Sequence, residues 1–384
     1  MPQLIKADAF AEKDPKVLTT HGKDIMIAAT KGSAFTSLRG TGDNAIIKTM
    51  EATGGKATII TMSLLAPLRT LGVRGNEVLD NMQDKLKRMF MDVRGTVLAE
   101  SVLSDNTKLL ARSSWETFRR DAKSGLAEWR KWITDCEIYA KLSRECTKIT
   151  AVKADGTVSE NPADLEKGDM FSVLHLDAAY DRAKNGFTDA DGKRHPKMKP
   201  YRVEVGSVKG QTTEIEVFVM LLGTKSAESL ENDPIYLQKK TALSDTERDR
   251  LPYAGGIGVY ENKIILVDKG TWNEEDAGIV RSDTPEWIDV LGQTVGGFDQ
   301  YKGTGVETEV NLMLGAGAGV EPFEAVPDYE EDGTTIDSGR KLKCFIDQFY
   351  GFEKFRPQGK TVEEKKLSWH DEDYGVQAVI ATVE

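Results

Sequence analysis

Lys56-Ala-Thr-Ile-Ile-Thr-Met-Ser-Leu-Leu65 and Lys85-Leu-Lys-Arg-Met-Phe-Met-Asp-Val-Arg94 decide how this chain is read. They are the two strands of a long arm, separated by residues 66–84 with Pro67, Gly72 and Gly75. Connections of this length inside a compact domain are uncommon and usually functional. The arm runs directly towards one very long helix beginning at Ser113. Extended reach without an obvious pocket suits self-association.

The helix is the clearest element of the sequence. Ser113 and Glu116 form an S-x-x-E capping box. Apolar residues then recur at Trp115, Phe118, Ala122, Leu126, Trp129, Ile133, Cys136 and Ala140. That three-and-four spacing marks one buried stripe. About thirty residues at 1.5 Å rise give roughly 45 Å, the width of a whole domain. Trp115, Phe118, Leu126, Trp129 and Ile133 are expected to form the core of this spine, and Trp132 to pack with them.

Outward from the helix, the chain alternates helices and strands, an α+β pattern. A turn is expected at Lys153-Ala-Asp-Gly156, then a helix at Leu176 to Asn185 with Gly186 as its C-cap. Thr213 to Leu222 read as a strand, exposed in its first half and buried in its second. A helical stretch from Thr224 to about Lys240 is broken at Pro234. Two apolar runs flank Glu261-Asn262, the mark of a hairpin. Lys341 to Tyr350 is a β-rich run, and Gly375 to Val383 is the closing strand. Residues 1–54 read as an extended arm with little core of its own.

Composition narrows the function classes. A chain of 384 residues can bury a sizeable core. The net charge of −11 argues against a general nucleic-acid binder and suits a surface that lies near DNA without adhering to it. Three cysteines without metal-ligand spacing, Cys136, Cys146 and Cys344, read as reduced thiols of a cytosolic protein. The N-terminus shows no signal-peptide h-region, and no apolar run approaches the ~20 residues of a bilayer span.

Motifs for chemistry fail one by one. Gly255-Gly-Ile-Gly precedes a hairpin rather than a helix, so it is not a dinucleotide loop. Gly315-Ala-Gly-Ala-Gly319 reads as a tight turn or a close backbone approach between subunits. Asp189-Ala-Asp-Gly192 opens like a calcium loop, but the bidentate Glu position falls on Pro200. Gly223-Thr-Lys-Ser lacks the upstream glycine of a phosphate loop. His21, His175, His195 and His370 form no metal-binding pattern, and no G-x-S-x-G elbow is present. His370-Asp-Glu-Asp373 reads as a solvated acidic turn. No catalytic residue, cofactor or metal is expected.

With these motifs absent, element order carries the reading. Several stretches are similar to one family. They are Asn76-Glu-Val-Leu-Asp80, Phe118 to Trp129, Val217 to Asp233, Ile257 to Leu266 and Asp373-Tyr-Gly-Val-Gln-Ala-Val379. In their collinear order the chain resembles the major capsid proteins of tailed bacteriophages, of the HK-ninety-seven-type (Johnson) fold. More narrowly it resembles the branch named after the podovirus N-four. The tip of the loop, Asn76 to Asp84, is less acidic than that branch would show.

The resemblance implies an N-terminal arm at 1–54 and an extended loop at 55–98. It implies a peripheral domain with the spine helix at 99–212, an axial domain at 213–340, and a return to the peripheral domain at 341–384. It further implies self-assembly into hexamers and pentamers of an icosahedral head shell enclosing phage DNA without sequence-specific binding. Portal, scaffolding or cementing proteins would be partners. The place would be the virion, after assembly in the host cytoplasm. Ile25, Ile27, Leu68, Leu71 and Val73 are expected at intersubunit contacts, because little local chain is available to bury them. An encapsulin-like nanocompartment shell is the nearest alternative, and an enzyme of another type the more distant one.

Overall fold

The computed structural model describes residues 15–33, 35–52, 59–65, 87–103, 115–208, 211–241, 258–261, 263–268, 287–295, 299–324, 326–332 and 343–383. Helix α1 spans Pro15–Gly32, α2 Trp115–Ser143, α3 Val173–Asn185 and α4 Thr224–Asn232. The strands used below are β1 (Ile47–Glu51), β2 (Ile59–Leu65), β3 (Arg88–Arg94), β4 (Thr96–Leu103), β5 (Ile149–Val152) and β6 (Gln211–Leu222). They continue as β7 (Ile264–Asp268), β8 (Thr308–Leu314), β9 (Gly319–Phe323), β10 (Asp328–Asp332), β11 (Lys343–Tyr350) and β12 (Val376–Thr382).

A nine-stranded mixed sheet forms the centre, with β7, β6, β8, β12 and β5 adjacent in that order. Strands β8 and β12 pair antiparallel along their whole length, from Thr308 opposite Thr382 to Leu314 opposite Val376. Side chains of a strand alternate between faces. Val219 and Leu221 of β6 therefore join Leu312, Ala378 and Ile380 on one face, where Ile138, Tyr139 and Leu142 of α2 cover them. Phe218, Met220 and Leu222 point the other way, with Met313, Val379 and Ala381, under α3 and α4. Both faces are covered, which is why the second half of β6 reads as an unbroken apolar run. Its first half, Glu214 to Glu216, is only partly buried.

A seven-stranded sheet lies beside it and contains β1, β9, β11, β10 and β4. Here β11 alternates strictly between buried and half-buried residues. Cys344 and Ile346 face α1 and α2, packing with Ile25, Ala29, Ala122 and Leu126. The turn joining the two sheets is Gly315-Ala-Gly-Ala-Gly319. Gly317 has φ of 75°, and a Cβ on Gly315 would stand 2.4 Å from the Lys199 carbonyl oxygen. The close approach at these glycines is therefore within one chain. Ala45 and Lys199 accept the amides of Gly317 and Ala316, both at 2.8 Å.

Two expectations change. Residues 15–32 are helical, not extended. Pro15 sits at the start, where a missing N–H costs nothing, and Gly32 at the end. Ile25 and Ala29 form an i, i+4 seam against α2. A Cβ on Gly22 would meet the Pro327 carbonyl oxygen at 2.5 Å, so this helix lies tightly on the loop before β10. The domain boundaries also do not follow the sheets. The stretch 341–384 sends β11 to the seven-stranded sheet and β12 to the nine-stranded one. Likewise β9 and β10, from the expected axial stretch, belong to the seven-stranded sheet.

Candidate functional site: the arm, the spine and their anchors

The arm is a regular antiparallel hairpin, with Ile59 opposite Arg94 and Leu65 opposite Arg88. Met89, Met91 and Val93 alternate inward and are buried. Met91 and Val93 pack on Val320 and Phe355, with Met62 and Leu64 of the partner strand half-buried beside them. The opposite face shows Thr61, Ser63, Arg88, Asp92 and Arg94 to solvent. Ile59 is 48% exposed. Phe90 clasps the body through reciprocal amide-to-carbonyl bonds with Gln358, of 2.9 and 2.8 Å. Gly95 lets the arm turn into β4, since a Cβ there would meet the Phe349 ring at 2.4 Å. The base of the arm is thus fixed to its own subunit. Leu68, Leu71 and Val73 lie outside the described residues, as do residues 255–257 of the glycine cluster.

The N-terminal helix divides the two isoleucines expected at contacts. Ile25 is 1% exposed and belongs to the seam between α1 and α2, so it has no surface to offer a neighbour. Its own chain supplies the cover that the sequence reading assumed missing. Ile27, two residues on, is 51% exposed. Polar pairs hold the seam. Arg119 donates twice to Glu331, at 2.8 and 2.9 Å. Ser33 donates to Asp135, and Lys123 meets His21 Nδ1. Burial and the adjacent Lys123 together lower the His21 pKa.

Along α2 the expected stripe is only partly the observed one. Leu126 and Ala122 are buried in the α1 seam, and Phe118 and Trp129 are half-buried against it. Trp115 begins the helix. Ile133 is half-buried, and Trp132 is 40% exposed rather than part of the core. From Thr134 to Arg144 every residue is buried, because this half of the helix passes between the two sheets. Amphipathic periodicity cannot identify a helix face where both sides are covered.

Several charges along and after the buried half are paired. Lys141 reaches Glu353 at 2.9 Å, Asp289 at 3.0 Å and Glu137 at 3.4 Å. Asp373 is fully buried and takes Arg356 at 3.0 Å, Lys354 at 3.3 Å and the Thr147 amide at 2.8 Å. Burial alone would raise the Asp373 pKa, but Lys354 and Arg356 hold it below its usual value. This cluster ties the end of α2 to the segment before β12. The expected solvated turn at His370–Asp373 is therefore a correction. Asp371 is exposed, but Glu372 and Asp373 are buried anchors. Glu372 accepts from His195 Nδ1 at 2.9 Å, while Asp189 faces Nε2 at 3.2 Å. The only sequence signal for this role was acidity directly before an apolar strand.

The arrangement does not prepare a nucleophile. Burial raises the Cys146 pKa despite the nearby Lys354, the reverse of an activated thiol. His175, lowered to about 4 by burial, is neutral at pH 7 and closes the capping box of α3 with Ser172. The N-terminus of α4, after Gly223, is filled from within: Glu309 accepts from the Ser226 amide and Asn311 from the Gly223 amide, both at 2.7 Å. A phosphate has no room there. At Asp189–Gly192 the Asp189 carboxylate accepts the Lys193 amide at 2.7 Å, an ordinary turn. Among the described residues no cluster of three or more His, Cys, Asp or Glu could hold a metal.

Solved capsid structures share this fold. The capsid of Helicobacter pylori bacteriophage KHP30 superposes with a TM-score of 0.72 at 19% identity, over 91% of this chain and 90% of that one. The head structure of Helicobacter pylori bacteriophage KHP40 gives 0.71 at 20% identity, over 92% and 91%. The capsid of Ralstonia phage GP4 gives 0.64 at 17%, over 92% and 91%. At such identities the likeness establishes the fold. No curated protein matches the chain. The sequence profile described as phage capsid protein matches residues 9–383, nearly end to end, and the chain belongs to that family of structural, non-enzymatic virion proteins.

Proposed function

We propose that this capsid subunit assembles into hexamers and pentamers that close an icosahedral head around phage DNA. The observation that carries the reading is the arm. Its base is clamped at Phe90–Gln358, while one face and Ile59 are left to solvent. A flat exposed hairpin is an aggregation hazard unless a partner covers it. Ile27 on α1 supplies a second uncovered apolar point. Leu68, Leu71 and Val73, which follow Leu65 in the sequence, are assigned the same intersubunit role. Contacts of this kind between identical subunits close into rings and shells. Assembly takes place in the host cytoplasm, with portal and scaffolding or cementing proteins as partners. The acidic balance keeps the enclosed DNA from binding the wall tightly.

Sedimentation of the expressed chain, alone and with its phage partners, tests this. Capsomers or shells are the expected species, and a strictly monomeric chain under every assembly condition would sink the reading. Hydrogen exchange refines it, with amides of residues 66–84 slow in shells and fast in free subunits. Equal, slow exchange in both states would place the arm within its own chain.

A further inference from the structure

A net charge of −11 leaves room for a local exception, and one groove is that exception. Its cavity, of about 470 Å³, lies at the end of α3. Lys184 of α3, then Lys197, Lys199 and Arg202 from the segment between α3 and β6, line it together with Tyr180 and Tyr374. One carboxylate, that of Glu216, lines it too. Lys184, Lys197 and Arg202 are exposed, so an entering group can reach them.

Acids of the subunit do not neutralise this set. Among the described residues neither Lys184 nor Lys197 has an ion-pair partner. Lys184 lies 5.5 Å from the centre of the Tyr180 ring, which attracts the ammonium and leaves its charge intact. Carbonyls at the end of α3 are already taken, since the amides of Gly186 and Met198 donate to Arg182 and Ala183 at 2.9 and 2.7 Å. Lys199 donates to the Asp43 carbonyl oxygen at 2.8 Å, while the Asp43 carboxylate pairs with Lys48. Arg202 meets Glu216 at 3.3 Å and Glu214 at 3.8 Å, exposed pairs of small net worth. Like charges gathered in a cleft focus its potential on an incoming anion.

We infer that this groove binds the phosphate backbone of duplex DNA and is a point where the shell wall touches its contents. The inference rests on the capsid reading above. Lysine acts on phosphate as a point charge, and phosphate contacts carry no sequence information. Four cations against one lining acid match a regularly repeated anion. A single carboxylate from a protein segment would engage only one or two of them. The contacts are few, so the DNA is touched at this groove and held loosely, with an affinity that falls as salt rises.

Fluorescence anisotropy of a labelled short DNA duplex, titrated with the free subunit at several salt concentrations, tests this. Lys184→Gln and Lys197→Gln should each lower the slope of log affinity against log salt by about one. Lys366→Gln, at an exposed lysine that does not line the groove, should leave the slope unchanged. No change in either groove variant overturns the inference, as does an equal change in Lys366→Gln. Tighter binding of a polyglutamate peptide than of the duplex also overturns it, and assigns the groove to an acidic protein segment. Both groove variants should still form shells. Loss of shells in both would make the groove an intersubunit contact and overturn the inference. Electron cryomicroscopy of filled wild-type heads should show DNA density at the groove, and a groove on the outer surface overturns the inference. A chain that forms no shell yet shows the expected slopes fails the capsid reading and keeps the DNA-binding groove.

Discussion

The central strands β8 and β12 and the arm β2–β3 are both antiparallel pairs, but they finish folding in different ways. Every residue of β8 and β12 is buried, and helices cover both sides of their sheet. The arm buries one face on Val320 and Phe355 and leaves the other open. One pair is complete within the subunit. The other is complete only at its base. Substitutions in the first should therefore be felt as lost subunit stability, and substitutions on the open face of the second as lost assembly.

The largest effect is expected where the centre is anchored. Asp373→Ala leaves the buried Lys354 and the half-buried Arg356 without their shared acid and should cost roughly 3–5 kcal/mol in urea unfolding of the free subunit. The pH dependence has a definite sign. Asp373 is depressed below its usual 3.8 in the folded state, so its contribution is present above that value and lost as pH falls through the lower folded value. The variant should lack that acid limb. An unchanged midpoint would break the contrast at its strong end.

Lys148→Met should act in the opposite direction. Lys148 is buried, its Nζ has no hydrogen-bond partner, and burial lowers its pKa from 10.5 to about 8. Between those values the unfolded chain binds the proton that the folded chain has released, so wild-type stability should rise with pH from 8 to 10.5. At 1.36 kcal/mol per pKa unit, the methionine variant should gain at most ~3 kcal/mol at pH 7 and lose that rise. Equal pH profiles would show that Lys148 is not desolvated.

Trp129→Ala tests the half-buried part of the spine. A fully buried Trp loses ~3–5 kcal/mol on truncation, and this one, partly exposed, should lose about half as much. Ile59→Ser on the arm should change subunit unfolding by no more than ~0.5 kcal/mol, as surface substitutions do. Its effect should show in sedimentation as reduced shell yield. A large loss of subunit stability from Ile59→Ser would erase the distinction between the two strand pairs.

What was legible in the sequence had a repeating physical signature. The arm, expected over Lys56–Leu65 and Lys85–Arg94, is found at Ile59–Leu65 and Arg88–Arg94. The spine, Gly186 as a positive-φ cap, the break before Pro234 and the hairpin at Glu261 follow their local signals. Helix α1 was missed because its seam with α2 rests on one isoleucine and the small Ala29, while Gly22 lies against Pro327. Its apolar stripe is thin, although Pro15 and Gly32 mark its ends. Trp132 was misplaced because the helix changes surroundings midway, from a one-sided seam to a slot between sheets. The anchors at Glu372 and Asp373 were illegible for a different reason. Their cations, Lys354, Arg356 and Lys193, come from separate segments, and only the fold brings the charges together.

The position of β12 has a consequence for manufacture. It lies between β8 and β5, and it follows all the other described strands in chain order. While a ribosome is still making the chain, β8 and β5 wait with a gap between them. The arm, by contrast, has emerged long before. A nascent or prematurely terminated chain thus carries its sticky element without a finished body to present it. Strand β12 closes that gap only after every other described strand has been made, so a chain stopped before Val376 should lack the pairing that completes its central sheet. A product stopped before Val376 should be cut rapidly by a soluble protease and excluded from shells formed by intact chains.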